Sequence, residues 1–229
     1  MKRMGLLGGM SWESSLEYYR LINEMVKNRL GGLHSAECVM ASVDFGPVSD
    51  MMKMNDWKDI ERVLSEAARD LKKAGADFLI ICTNTMHLLA REIEKASGLE
   101  VIEIGIAVGE EIERRKLKTV GLLGTRFTME RTYYRDTLAG FGINVVVPLE
   151  EERVVVDRII FEELCKGVFR EESKSAYKEV ISGLQMNGAD GVILGCTEIP
   201  LLIKESDVDI PVFDTTAIHA RAAVEHALS

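Results

Sequence analysis

Cysteine is scarce in this chain of 229 residues: four are present, at positions 38, 82, 165 and 196. None forms a CxxC pair and the four histidines do not cluster, so neither a zinc site nor a disulfide framework is indicated. Free thiols in a reducing, cytoplasmic setting are the expectation. Long apolar runs are missing as well. None approaches the roughly 18 residues of a membrane-spanning helix, and the opening MKRMGLLGGMSW is interrupted by Gly5, Gly8 and Gly9 before it reaches signal-peptide length. Positive charge is in deficit: 28 Lys and Arg face 37 Asp and Glu, a net charge of −9 with no basic stripe. Nucleic acid and anionic membranes are therefore excluded as main partners, whereas a small anion held by local dipoles is not. GLLGGMS lacks both the GxGxxG pattern and the terminal GK[ST] of a P-loop, so no nucleotide or nicotinamide cofactor is indicated. Glutamine is almost absent; Gln185 stands alone in a chain rich in Lys and Glu, a composition expected of a heat-adapted source.

What is present is an alternation of short apolar runs and helix-patterned stretches. MGLLG at 4–8 leads into a helix over 12–30, where Leu16, Tyr19, Ile22, Asn23 and Val26 follow near-helical spacing. Residues 38–43 read as a strand, 56–73 as a helix with Asp56 as N-cap, 77–81 as a strand and 86–95 as a helix. FGPVSDMMKMN reads as a loop, with Met51, Met52 and Met54 in a mobile or packing stretch. Such alternation predicts an α/β protein built on parallel sheet. The second half repeats the first: GLLGG at 5–9 matches GLLGT at 121–125, AGAD at 74–77 matches NGAD at 187–190, and Cys82 matches Cys196, at offsets of 116, 113 and 114. An internal duplication follows, with two pseudo-symmetric lobes, each a short parallel sheet flanked by helices. Helices at 106–117 and 217–228 correspond, and the last is expected to close back on the first lobe. The lobes are drawn at 1–105 plus 214–229 and at 106–213.

Ligands of open parallel sheets bind beyond the carboxyl ends of the strands, where Cys82 and Cys196 both fall. Each is followed by what reads as a helix N-terminal turn, Thr83-Asn84-Thr85 and Thr197-Glu198, whose free NH groups and positive dipole can take a carboxylate and lower a thiol pKa. Inverting an α-carbon needs a proton removed from one face and another delivered to the opposite face. Two facing cysteines, one thiolate and one thiol, supply that pair. A lone cysteine after an apolar strand is usually core, a reading kept for Cys38 and Cys165; matched positions in a duplicated pair favour function. His87 is placed in the first helical turn near the site, His219 is expected to reach the cleft, and His34 and His226 read as surface residues.

Taken together, GLLGGMSWES, GGLHSA, SVDF, CTNTMH, LLGTRFTME, IIFEELC, GCTEI and PVFDTTAIHA resemble the aspartate/glutamate racemase superfamily, from Gly5 to Ala220. The likeness is to its L-aspartate/glutamate-specific and broad-specificity amino-acid racemase branch. The resemblance implies a racemase without cofactor or metal, acting on a small amino-acid substrate, commonly a homodimer, with its active site in the interlobe cleft. It implies Cys82 and Cys196 as the catalytic pair, and Met10, Ser11, Thr83, Asn84, Thr85, Thr125, Lys166, Thr197 and Glu198 as substrate contacts. Cell-wall glutamate racemases carry Asp-Ser where this chain has Met10-Ser11, and His where it has Glu198. Some aspartate racemases place an Arg in the loop where this chain offers only Lys53. Other carbanion chemistry of the superfamily, a non-catalytic amino-acid-binding protein and a thiol redox protein stand as alternatives.

Overall fold

The structure is a computed structural model that describes residues 1–229. The chain divides into two compact units, one formed by Met1–Glu103 with His219–Ser229 and the other by Ile104–Ile218.

In the first unit β1 (Met4–Gly8) leads to α1 (Trp12–Leu30), then β2 (Cys38–Ser42), α2 (Phe45–Lys53), α3 (Trp57–Lys73), β3 (Phe78–Ile81), a 3-10 turn at Thr85–Leu89 and α4 (Ala90–Ser97). The sheet runs in the order β2-β1-β3, entirely parallel. A single parallel bridge, Leu79 to Val101, adds the rudiment of a fourth strand beside β3. The second unit has α5 (Ile104–Arg114), β4 (Thr119–Gly124), α6 (Arg126–Glu130), α7 (Tyr133–Ala139), β5 (Asn144–Val146) and α8 (Glu150–Glu162). A 3-10 turn at Leu164–Lys166, α9 (Glu171–Met186), β6 (Val192–Gly195), α10 (Ile199–Leu202) and β7 (Val212–Asp214) complete it, before α11 (Thr215–Leu228). Its sheet, β5-β4-β6-β7, is also parallel. With Val101 counted, both sheets place their strands in the spatial order second, first, third, fourth.

The helices form where apolar spacing and caps direct them. In α1, Tyr18, Ile22 and Val26 repeat every fourth residue and are buried, and Ser11 caps the helix by accepting from the Ser14 amide. In α3 the buried stripe is Ile60, Leu64, Ala68 and Leu71, and Asp56 is the N-cap as the sequence predicts, accepting from the Asp59 amide. Each buried Val, Ile or Leu of these stripes contributes about 1.5–3 kcal/mol over its exposed state. The first core joins Met4, Leu6, Phe78, Ile80 and Cys82 of the sheet to α1 and to Ala220, Ala223, Val224 and Ala227 of α11. The second joins Leu123, Val192, Leu194 and Cys196 to Val156, Ile159 and Ile160 of α8 and Tyr177, Ile181 and Leu184 of α9.

FGPVSDMMKMN is not a loop: residues 45–53 are helix α2, capped by Asp44. Pro47 lies in the first turn, where its missing N–H costs no helical hydrogen bond. Met52 is buried and Met54 is exposed. The helix read over 86–95 is a 3-10 turn followed by the short α4.

Candidate active site

Each sheet reverses its winding direction between its first and third strands, the point at which doubly wound α/β sheets bind ligands. In the first unit this point lies beyond β1 and β3. Gly9 turns the chain out of β1 with φ 91°, and a Cβ there would stand 2.2 Å from the Val43 carbonyl oxygen, so only glycine fits. Met10 and Ser11 follow, both buried. The Ser15 hydroxyl accepts from the Gly9 amide at 2.8 Å and donates to the Ser11 carbonyl at 3.0 Å. The Ser14 hydroxyl donates to the Cys82 carbonyl at 2.7 Å. The first turn of α1 is thus fastened to the ends of both inner strands. After Cys82 the chain turns at once, the Thr83 amide donating to the Ile81 carbonyl at 2.8 Å, and Thr83, Asn84 and Thr85 are all buried. His87 Nδ1 lies 2.8 Å from the Thr83 carbonyl and braces this turn.

In the second unit the corresponding point lies beyond β4 and β6. Thr125 caps α6 through the Thr128 amide, and its hydroxyl lies 3.2 Å from that of Thr128. Cys196, Thr197 and Glu198 are buried beyond β6, and one oxygen, Glu198 Oε2, accepts from the Cys196 thiol at 3.0 Å and from the Thr197 hydroxyl at 2.8 Å. The Thr215 hydroxyl donates to the Leu194 carbonyl at 2.9 Å, and Asp214 accepts from the Thr216 and Ala217 amides, which ties the start of α11 to the same strand end. Lys166 is exposed on the 3-10 turn after α8, and Cys165 beside it is half-buried. Lys53 is exposed and paired with Asp50 at 2.9 Å.

Two expectations about the cysteines need correction. The helical segment beyond Cys196, Ile199–Leu202, is a single turn, too short for a strong dipole, and the one beyond Cys82 opens as a 3-10 turn, Thr85–Leu89, before α4 begins at Ala90. Burial dominates instead and pushes both thiols above the ordinary range: Cys82 by burial and then the neighbouring Cys38, Cys196 by burial and then the charge of Glu198. Both rest as thiols. The repeat is also one residue out of step. Leu7 pairs with Ile81, leaving Cys82 next in line, whereas Leu123 pairs with Leu194 and Gly195 takes the next position opposite Gly124. Cys82 therefore corresponds to Gly195, and Cys196 lies one residue further along. A one-residue step reverses the face of a strand, so Cys82 joins the core layer of α1 and α11 while Cys196 joins that of α8 and α9.

His219 belongs to the core of the first unit, its Nδ1 2.8 Å from the Tyr18 hydroxyl and its Nε2 2.6 Å from the Ile102 carbonyl oxygen. His226 is half-buried against Phe78, ring centroids 4.6 Å apart. Sequence reasoning did not single out Ser14 and Ser15, although three serines within five residues of a helix start are the signal for such a tether. It also passed over Glu13, whose Oε2 is buried in the first turn of α1 without a hydrogen-bond partner and has the chemistry of an ammonium acceptor. No group of three or more His, Cys, Asp or Glu side chains is arranged to hold a metal ion, and no helix is long and apolar enough to cross a membrane.

Two parallel sheets flanked by helices, each with a buried cysteine beyond its third strand, define a class of duplicated α/β protein. Within that class the chain belongs to the Asp/Glu/Hydantoin racemase family, whose pattern it matches over residues 7–223. It is 49% identical to a putative Asp/Glu racemase from Yersinia pestis, with all of both chains covered and a TM-score of 0.93. An aspartate racemase homologue from Pyrococcus horikoshii OT3 shares 36% identity, again over all of both chains, with a TM-score of 0.86. The broad specificity amino-acid racemase RacX of Bacillus subtilis (strain 168) is 24% identical over 174 residues, 76% of this chain and 75% of that protein.

Proposed function

We propose that this protein is a cofactor-independent amino-acid racemase acting on aspartate or glutamate, with Cys82 and Cys196 exchanging protons with opposite faces of the α-carbon. The observation that carries the reading is that each cysteine stands just beyond the third strand at the winding reversal of its own sheet. Membership of a family described by Asp, Glu and hydantoin racemisation supports it. In this reading the two strand ends share one substrate. Its α-carboxylate is taken by the amides and hydroxyls of Thr83–Thr85 and Thr197, with Met10, Ser11, Asn84 and Thr125 closing around it, and Glu13 accepts from its ammonium group. The working unit is a cytoplasmic homodimer.

Mechanistically, one sulfur as thiolate removes the α-proton: the C–H bond breaks, an S–H bond forms and the electron pair remains on carbon, delocalised into the carboxylate. The other sulfur, as thiol, delivers its proton to the opposite face. The reverse direction exchanges the roles.

Incubation with each enantiomer of aspartate and glutamate, followed by chiral chromatography, tests the reading. Interconversion should persist after dialysis against chelator and after hydroxylamine. Cys82→Ala and Cys196→Ala should each reduce it by about 10³-fold in both directions, the scale of a lost acid or base. Near wild-type turnover in either variant, or activity restored only by added metal or pyridoxal phosphate, would remove the two-cysteine mechanism.

A further inference from the structure

The two thiols differ in their surroundings. Cys196 donates to Glu198 Oε2 at 3.0 Å, within a pocket where the carboxylate is as buried as the thiol. The Cys82 thiol points to the Ile80 carbonyl oxygen at 3.9 Å, which can accept a hydrogen bond but cannot take a proton. A buried thiol needs a base before it can act as one itself, and release of its proton to solvent is not required when a carboxylate stands at hydrogen-bond distance.

We infer that Glu198 is the proton acceptor of Cys196, so that the pair shares one proton and Cys196 is the sulfur that starts as base for the enantiomer whose α-hydrogen faces it. In the transfer the Cys196 S–H bond breaks, its electron pair stays on sulfur, and an O–H bond forms at Glu198 Oε2. The pair carries one negative charge before and after, which spares the site a second buried charge. Thr197 donates to the same oxygen at 2.8 Å and holds the carboxylate in place through the exchange. This assignment rests on the racemase reading for its role in turnover. Abstraction of the α-proton then leaves Cys196 as thiol and Glu198 as acid, while Cys82 gives its proton to the opposite face and becomes thiolate. The other titratable groups facing Cys196 are Cys165 of the 3-10 turn, Tyr177 of α9 and, acting on Tyr177, Asp157 of α8. Tyr177 donates to the Val156 carbonyl at 3.3 Å and Asp157 accepts from the Arg126 amide at 2.7 Å.

The test uses the whole, ligand-free protein and needs no substrate. Alkylation by iodoacetamide is followed at each cysteine by peptide mass spectrometry between about pH 6 and pH 9. While the pair holds one proton its thiolate fraction is independent of pH. The Cys196 rate in the wild-type protein should therefore stay within about twofold per pH unit, while Cys82 and Cys38, whose thiols burial pushes up, climb about tenfold per unit. In Glu198→Gln, Cys196 should also climb about tenfold per unit. A wild-type Cys196 rate that climbs like the others overturns the inference, and so does a flat profile that survives Glu198→Gln. The wild-type profile decides even if the variant fails to fold. A flat profile in a protein without racemase activity would leave the pair standing and remove the function, and a climbing profile in an active racemase would do the reverse.

Discussion

Three polar side chains meet in the core of the first unit, and their geometry fixes their protonation. The Ile102 carbonyl oxygen can only accept, so His219 Nε2 carries a proton, and Nδ1 accepts from the Tyr18 hydroxyl. His87, its ring 5.3 Å from that of His219, donates from Nδ1 to the Thr83 carbonyl. Both rings are neutral: burial lowers His87 to about 4, and burial with the nearby His87 lowers His219 to about 3. An unfolded histidine titrates near 6.5. Below that value the unfolded chain binds protons that the folded chain refuses, so their contribution is complete above about pH 6.5 and is lost as pH falls toward 4 and then 3. Urea unfolding should show stability falling by about 1.4 kcal/mol per pH unit for each histidine between pH 6.5 and 5, before most carboxylates titrate. His219→Gln should make the dependence shallower; a wild-type stability that is flat over that window would contradict the assignment. The sequence places His87 in the first helical turn after its strand, where Thr85–Leu89 holds it, but does not reveal the Tyr18 partner of His219. Tyr18, its partner, lies 201 residues away, and no local pattern reports such a contact.

At the scale of elements, the tether from α1 to the end of β3 helps to hold the Cys82 turn. Ser14→Ala removes the donor to the Cys82 carbonyl, leaves a buried acceptor unpaired and should cost about 1–3 kcal/mol. In the proposed mechanism the Cys82 sulfur transfers a proton and is sensitive to position, so kcat should fall more than KM rises. Steady-state kinetics beside thermal unfolding read both effects; unchanged stability and unchanged kcat would show that the tether positions nothing. The inner strands β1, β3, β4 and β6 were legible because buried parallel strands are short, continuous apolar runs bounded by glycine or polar turns, as in GLLG, FLII and VILG. Helix α2 was not, since Gly46 and Pro47 are loop signals everywhere except in a first helical turn. The lengths of the segments after the cysteines were also hidden, because a start signal does not reveal where a helix stops.

For the whole molecule, duplication was legible from three landmarks, and their unequal offsets already contained the one-residue slip. Offsets of 113 for AGAD and 114 for the cysteines differ by one residue. Sheet register translates that difference into a reversal of strand face, with Cys82 in one kind of core layer and Cys196 in the other. The two cysteines are thus near-matched in chain position but not in environment: the Cys196 thiol has a carboxylate beside it and the Cys82 thiol has a backbone carbonyl. The central claim is proton exchange at one carbon by two sulfurs, and deuterium tests it most directly. Either enantiomer of aspartate or glutamate is incubated with the protein in deuterated water, and both enantiomers are separated and weighed by mass spectrometry within the first few per cent of conversion. The account predicts one deuterium at the α-carbon of the product and almost none in the remaining substrate, because a thiol that has taken the α-proton returns it to the face it came from. Equal early deuterium in both enantiomers, or no interconversion of either amino acid, would contradict it.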